Sequence, residues 1–301
     1  MDEKTLNNYI KAGKIAAECR EYGRGFVKIR ASLKDVTEAI EKKLFDLGGK
    51  PAFPVQLSLN KDAAHNCAAF DDVYVFSEND MVKIDVGVEI EGCIGDTACT
   101  VYLGNDERMK LLVRASEEAL AAALLVIKPG VKLSEIGAAI EKEITKYRDE
   151  GFNPIRNLSG HGLGIYDIHA APQIPNFDNH DKTVLKEDDV IAIEPFATTG
   201  IGIVGQGSAA EVMQMVNPKP VRSPITREVM KVIQEYKEQP FCKRWLINKF
   251  GPVRTNFALR EMISGGMLQE YPPLPEVTGR PVSQAEHTII VRDVSIVTTK
   301  I

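Results

Sequence analysis

The chain has 301 residues, 44% of them hydrophobic and 26% charged, an ordinary globular composition with enough length for a sizeable core. A formal net charge of -5 supplies no dominant basic field of the kind that marks a nucleic-acid binder, so no specific nucleic-acid partner is expected. The N-terminal stretch MDEKTLNNYI is charged and polar rather than a secretory signal, and the longest apolar run, 119–127, is too short to span a bilayer, so no membrane association is expected.

In chain order, residues 3–23 read as a helix. A second follows at 33–44, where Leu33, Val36, Ile40 and Leu44 fall on one face. A proline loop runs from Phe53-Pro54 to Asn60. An acidic turn at Ser77–Asp80 then leads into an apolar strand that ends on Asp85. Asp85 and Asp96 flank Gly92, which lets them face each other across a hairpin. The same order then recurs, displaced by roughly 100 residues. Helical stretches at 107–127 and 133–144 come first, the latter with Leu133, Ile136, Ile140 and Ile144 on one face. A proline loop from Asn153-Pro154 to His161 follows, then an acidic turn leading through 185–193 to Glu194. Chance likeness between two amphipathic helices is the plain alternative, but the proline loops and strand-end carboxylates also match in order.

These elements predict an α/β (α+β) fold in one domain, 1–301, with pseudo-twofold halves of about 1–104 and 105–301. Asp85 and Glu194 would then occupy equivalent positions across a shared cleft. Outside the repeat, residues 218–275 read as a helical insertion, with helices at 227–237, 241–249 and 258–268, before a strand returns at 286–292. From Arg222 to Glu270 it holds nine Lys/Arg against five Asp/Glu. That mild excess raises a transient ribosome contact as one reading, beside the plainer one of a solvated helical face. Cys19, Cys67, Cys93, Cys99 and Cys242 are odd in number and lack C-x-x-C spacing, which suits reduced thiols in a cytoplasmic protein.

Four carboxylates stand on predicted strands: Asp85, Asp96, Glu194 and Glu286. His161 sits in the glycine-rich turn Ser159-Gly-His-Gly-Leu-Gly164. Alone, such a carboxylate is more often a cap or surface group, and such a histidine a hydrogen-bonded turn residue. Together they are more specific, because acidic groups within apolar strands are costly unless paired or metal-bound. Four carboxylates in one cleft repel one another, and two divalent cations would balance them. Such cations, about 3.5–4 Å apart, can share a water and lower its pKa toward about 7. A mostly oxygen donor set with one imidazole suits Co, Mn, Fe or Zn.

The order Asp85, Asp96, His161, Glu194, Glu286 in these contexts resembles the ligand set of the pita-bread (creatinase/aminopeptidase) metallopeptidases, which include methionine aminopeptidases, prolidase and aminopeptidase P. Finer motifs resemble the type 2 methionine aminopeptidases, in their compact archaeal form. These are Asn157-Leu-Ser-Gly-His-Gly-Leu-Gly-Ile-Tyr-Asp-Ile-His169, Ala52-Phe-Pro with Ser58-Leu-Asn and Ala64-His65, Tyr271-Pro-Pro-Leu274, and Glu286-His-Thr-Ile289. The resemblance covers essentially the whole chain, and the helical insertion is also a type 2 feature. The stretch 205–216 is less recognisable, and no pocket residue is assigned in it.

The resemblance implies hydrolytic removal of the initiator methionine from nascent chains by a monomeric enzyme holding two divalent metal ions. Asp85 would chelate one metal, Asp96 and Glu286 would bridge both, and His161 and Glu194 would complete the other. Glu194 is also a candidate proton carrier. His65 and His169 would hydrogen-bond the substrate and help stabilise the tetrahedral intermediate, a task for donors aimed at developing charge. Phe53, Ile168 and Tyr271 would line the methionine pocket, where sulfur–aromatic contacts add about 0.3–1.5 kcal/mol. His180 reads as a loop histidine and His287 as a neighbour facing away from the metals. Two alternatives stand beside this reading. One is an X-Pro dipeptidase of the same fold, against which His65 and the insertion argue. The other is a non-catalytic binding protein on this fold, against which the filled ligand positions argue.

Overall fold

A computed structural model describes residues 1–207 and 209–301. The first half begins with α1 (Glu3–Phe26) and α2 (Leu33–Asp46), followed by β1 (Lys50–Pro51), β2 (Gln56–Leu59), β3 (Met81–Ile90) and β4 (Cys93–Tyr102). Asp2 caps α1 by accepting the Thr5 amide, and Ser32 caps α2 by accepting that of Asp35. The second half repeats the order with α3 (Glu107–Val126), α4 (Leu133–Thr145), β5 (Asn153–Pro154), β6 (Ser159–Gly164), β7 (Asp167–Pro175), β8 (Val190–Ile193) and β9 (Phe196–Thr198). After an excursion the chain closes with β13 (Val282–Gln284), β14 (His287–Ile290) and β15 (Ile296–Val297). The excursion comprises β10 (Val212–Met215), α5 (Pro224–Glu235), β11 (Phe241–Cys242), α6 (Lys243–Phe250), α7 (Pro252–Ser264) and β12 (Leu268–Tyr271).

The duplication extends to individual hydrogen bonds. Arg30 and Leu33 donate to the carbonyls of Phe76 and Tyr74, and Gly130 and Leu133 donate to those of Leu185 and Thr183, all within 2.7–3.0 Å. The carboxylate of Asp80 takes the Ser77 amide at 2.7 Å, and that of Asp189 takes the Lys186 amide at the same distance. Five residues beyond each of these turn carboxylates stand Asp85 and Glu194. Each half buries its own helix stripe: Leu33, Val36, Ile40 and Leu44 against Ile84 and Val86, and Leu133, Ile136, Ile140 and Ile144 against Ile191 and Ile289.

The first sheet is built on the long β3–β4 hairpin, with β1 and β2 on the other edge of β3. The second has the order β15-β14-β8-β6-β7, and a three-stranded sheet β13-β9-β5 accompanies it. Thr288 sews the halves together: its hydroxyl accepts the Asp96 amide at 2.7 Å and donates to the Asp96 carbonyl at 2.8 Å.

Two sequence expectations shift here. The excursion is not purely helical, since β10, β11 and β12 form a sheet of order β11-β10-β12 beneath its helices. Its third helix covers Pro252–Ser264 rather than 258–268, and its second starts at Lys243 because Phe241 and Cys242 pair with β10. Strand pairing outcompetes the apolar helical period at those ends. Among the described residues, no helix is long and apolar enough to cross a membrane.

Candidate metal centre

Asp85 and Asp96 come from the two strands of one hairpin. Asp85 lies opposite Ala98, and Asp96 opposite Gly87, so the two carboxylates are diagonal neighbours on one sheet face rather than direct partners. His161 is on strand β6, not in a turn as its glycines suggested. Those glycines serve close approach: a Cβ on Gly160 would stand 2.3 Å from the Ala192 carbonyl oxygen, and one on Gly162 would stand 2.2 Å from that of Ala171. Glu194 and Glu286 occupy strand ends rather than strand interiors. Glu194 follows β8, where Pro195 interrupts the ladder, and Glu286 precedes β14. The Glu286 amide donates to Ala98 at 3.0 Å, and the Thr97 hydroxyl donates to the Glu286 carbonyl at 2.8 Å. Asp96 and Glu286 are thereby fixed side by side from opposite halves.

Asp96, His161 and Glu286 offer ligand atoms that all lie within 4.8 Å of one another, and all three residues are buried. His161 Nε2 is 3.8 Å from Asp96 Oδ2 and 3.7 Å from Glu194 Oε1. Its Nδ1 lies 3.2 Å from the Gly162 carbonyl, which makes Nδ1 the donor and leaves the Nε2 lone pair facing the carboxylates. Burial, reinforced by His169, pushes the His161 imidazole down to about 3, so it is neutral. Asp85 is pushed up to about 7 by burial. Burial first, then neighbouring carboxylates, hold Asp96, Glu194 and Glu286 well above their ordinary range.

Gln284 supplies a side-chain donor to this cluster, its Nε2 donating at 3.5 Å to Asp85 and 3.4 Å to Glu194. Asp85 Oδ1, Asp96 Oδ1 and Glu286 Oε2 are buried with no hydrogen-bond partner among the described residues. Lone pairs thus converge on lone pairs, an arrangement that is favourable only around cations or added protons. The donor set fits divalent metal: hard oxygens, one neutral imidazole and orphaned acceptors aimed inward.

The cleft, about 60 Å³, brings together every site residue expected from the sequence. Phe53 and Ile168 are buried in its wall, and Tyr271 is half-buried. The His65 ring stands edge-on to Tyr271 with centroids 5.6 Å apart, and the His169 ring lies 4.9 Å from that of His161. His65 is pushed down to about 4 by burial, then by His169, and is neutral as well. His169 stands exposed at the mouth. A second opening of about 210 Å³ shares His65, His161, His169 and Glu194 and leads out past Asn157, Ser159 and Leu274.

Sequence reasoning missed Gln56, Val212, Pro240 and Gln284. Val212 and Pro240 line the cleft from the excursion, and Val212 falls in the stretch 205–216 where no pocket residue was assigned; Ser208 of that stretch lies outside the described residues. Gln284, two residues before Glu286, carries no local signal, because its role depends on Asp85 and Glu194 arriving from elsewhere. His180 is exposed, and His287 turns away from the cleft to Thr299 at 2.8 Å.

The sequence profile of metallopeptidase family M24 matches residues 7–220. A methionine aminopeptidase of Archaeoglobus fulgidus is 44% identical over 294 residues, covering 97% of either chain. One from Pyrococcus horikoshii is 45% identical over 98% of this chain and 99% of its own. Among solved structures, the methionine aminopeptidase from Thermotoga maritima matches with a TM-score of 0.72 at 25% identity, over 100% of this chain and 98% of that one. A thermophilic Arx1 matches with a TM-score of 0.86 at 17% identity, over 99% of this chain and 91% of that one, which shows the fold alone. The chain belongs to metallopeptidase family M24 and, within it, to the methionine aminopeptidases. Its fold is the duplicated pita-bread architecture of that family.

Proposed function

We propose that the protein removes N-terminal methionine from nascent polypeptides and peptides, using two divalent cations held by Asp85, Asp96, His161, Glu194 and Glu286. The observation that carries this reading is the convergence of five acceptors, three with orphaned oxygens, beside an apolar pocket in a chain of this family. Asp96 and Glu286, fixed side by side between the halves, would hold the cations together with His161, Glu194 and Asp85. Cations bound there would supply Lewis acidity and an activated water at neutral pH.

The chain's own residues do the rest. Phe53, Ile168 and Tyr271, with Val212 and Pro240, enclose the methionine side chain in an apolar, aromatic wall suited to a thioether. His65 and His169, whose rings lie 5.6 and 6.0 Å from that of Tyr271, hold the scissile carbonyl and its developing charge. Glu194, which lies 3.7 Å from His161, carries a proton from attacking water to leaving amine. The polypeptide beyond the methionine leaves through the opening past Ser159 and Leu274. The chain acts as one catalytic domain, 1–301, of halves about 1–104 and 105–301, with 218–275 as an inserted unit. A monomer in the reducing cytoplasm fits the five free cysteines, four of them buried. Arg222, Arg227, Lys231, Lys237, Lys249, Arg254 and Arg260 are exposed on the inserted unit, and a transient ribosome contact would use them; removing these charges should then abolish low-salt co-sedimentation.

The test is hydrolysis of a Met-Ala-Ser peptide beside an Ala-Pro peptide by chelator-stripped protein given Mn, Fe, Co or Zn. Metal-dependent release of methionine alone is expected. Cleavage of Ala-Pro alone would assign an X-Pro dipeptidase, and inactivity with every metal would assign a binding role.

A further inference from the structure

Gln56 opens β2 directly across the ladder from Asp85, and its side chain lines the cleft while remaining 6% exposed. Its Oε1 accepts the backbone amide of His65 at 2.7 Å. His65 holds a φ of +67°, in the left-handed region, where a non-glycine residue carries strain that its surroundings offset. The flanking residues are tied down separately. The Asn66 amide donates to Ser58 at 3.2 Å, its side chain donates to the Leu57 carbonyl at 2.8 Å, and the Ala64 carbonyl accepts the Leu274 amide at 3.1 Å. At His65 itself, the bond comes from a side chain that belongs to the cleft wall.

The left-handed turn decides where the His65 ring goes. With it, the imidazole stands edge-on to Tyr271, 5.6 Å between centroids, and its Nδ1 is buried without a partner among the described residues. In an extended conformation the Cβ would leave the chain in another direction and the ring would leave the cleft. A part-buried amide that lost its acceptor would also be free to turn toward another one.

We infer that Gln56 is a positioning residue for His65, holding its backbone in the left-handed conformation that presents the imidazole to the substrate. The inference rests on the reading of His65 as a substrate-binding histidine. Gln56 itself takes no part in proton transfer, and its contribution passes through one hydrogen bond.

The experiment is a double-mutant cycle on the metal-loaded enzyme with a Met-Ala-Ser substrate, using Gln56→Met, His65→Ala and both together. Gln56→Met keeps the length of the side chain and removes the strong acceptor. The expected result is a kcat lowered by about tenfold or more with KM within about threefold, the signature of a misplaced group rather than lost affinity. Metal content should be unchanged, and Gln56→Met should cost nothing further in the His65→Ala background. Wild-type kcat in Gln56→Met, full additivity with His65→Ala, or loss of metal would each overturn the inference, the last by showing that Gln56 acts through Asp85. If His65→Ala alone keeps the full rate, the reading of His65 is what fails. Should Gln56→Met not fold, Gln56→Asn, which draws the acceptor back by one methylene, carries the same cycle and the same outcomes.

Discussion

The guanidinium of Arg244 meets the carboxylate of Glu41 in a two-pronged pair, Nη1 to Oε2 at 2.9 Å and Nη2 to Oε1 at 2.8 Å, with both residues buried. Arg244 Nε donates to the Ala68 carbonyl at 3.1 Å, and the Trp245 indole donates to Glu41 at 3.1 Å. This pair fastens α6 to α2, and so pins the sheet that carries Val212 and Tyr271 against the first half. Removing one partner strands a buried charge. Arg244→Met should therefore lower stability by about 3–5 kcal/mol, read by urea unfolding, whereas Glu41→Met with Arg244→Met should recover most of that loss. A single variant as stable as wild type would show that the pair is not the fastening.

Asp96 stands beside His161 and Glu286 in the cleft, with ligand atoms of the three within 4.8 Å of one another. Asp96→Asn removes a charge from the centre of the cluster, and metal content and activity should fall together, measured by elemental analysis and peptide hydrolysis on the same sample. Full activity with both metals retained would place the centre elsewhere.

His65 lies outside the carboxylate cluster but lines the same cleft. His65→Ala should bind metal as wild type does and lose rate by about 10²–10³, the scale of a lost oxyanion donor. Loss of metal instead would make His65 a ligand.

The buried carboxylates set a pH dependence. Asp85 is pushed up to about 7 in the metal-free fold from an ordinary 3.8. Between these values the folded chain binds more protons than the unfolded one, so this group's contribution to metal-free stability falls as pH rises through that window. Cations compete with the same protons. The rise in Tm on adding Mn should therefore be larger at about pH 8 than at about pH 5.5, by calorimetry. An equal or larger rise at the acidic pH would contradict the raised carboxylates.

Periodicity and cost made much of this protein legible from residues alone. The stripes at 33, 36, 40, 44 and 133, 136, 140, 144 declared two equivalent helices, because only a helix places those positions on one face. The carboxylates Asp85, Asp96, Glu194 and Glu286 stood out because an acid within or at the end of an apolar strand is unfavourable without a partner. Their order along the chain, with His161 between them, carried the resemblance to the metallopeptidase ligand set. Tertiary structure decided what depends on segments that meet only after folding. It turned the glycine run around His161 into a strand, since the crowding carbonyls of Ala171 and Ala192 belong to neighbouring strands. It brought Gln284 to Asp85 across 199 residues, and it brought Val212 and Pro240 from the excursion to the pocket. It also set the backbone of His65 through Gln56, nine residues away. Local sequence records which groups need compensation, whereas the groups that compensate them are chosen by packing and register over the whole chain.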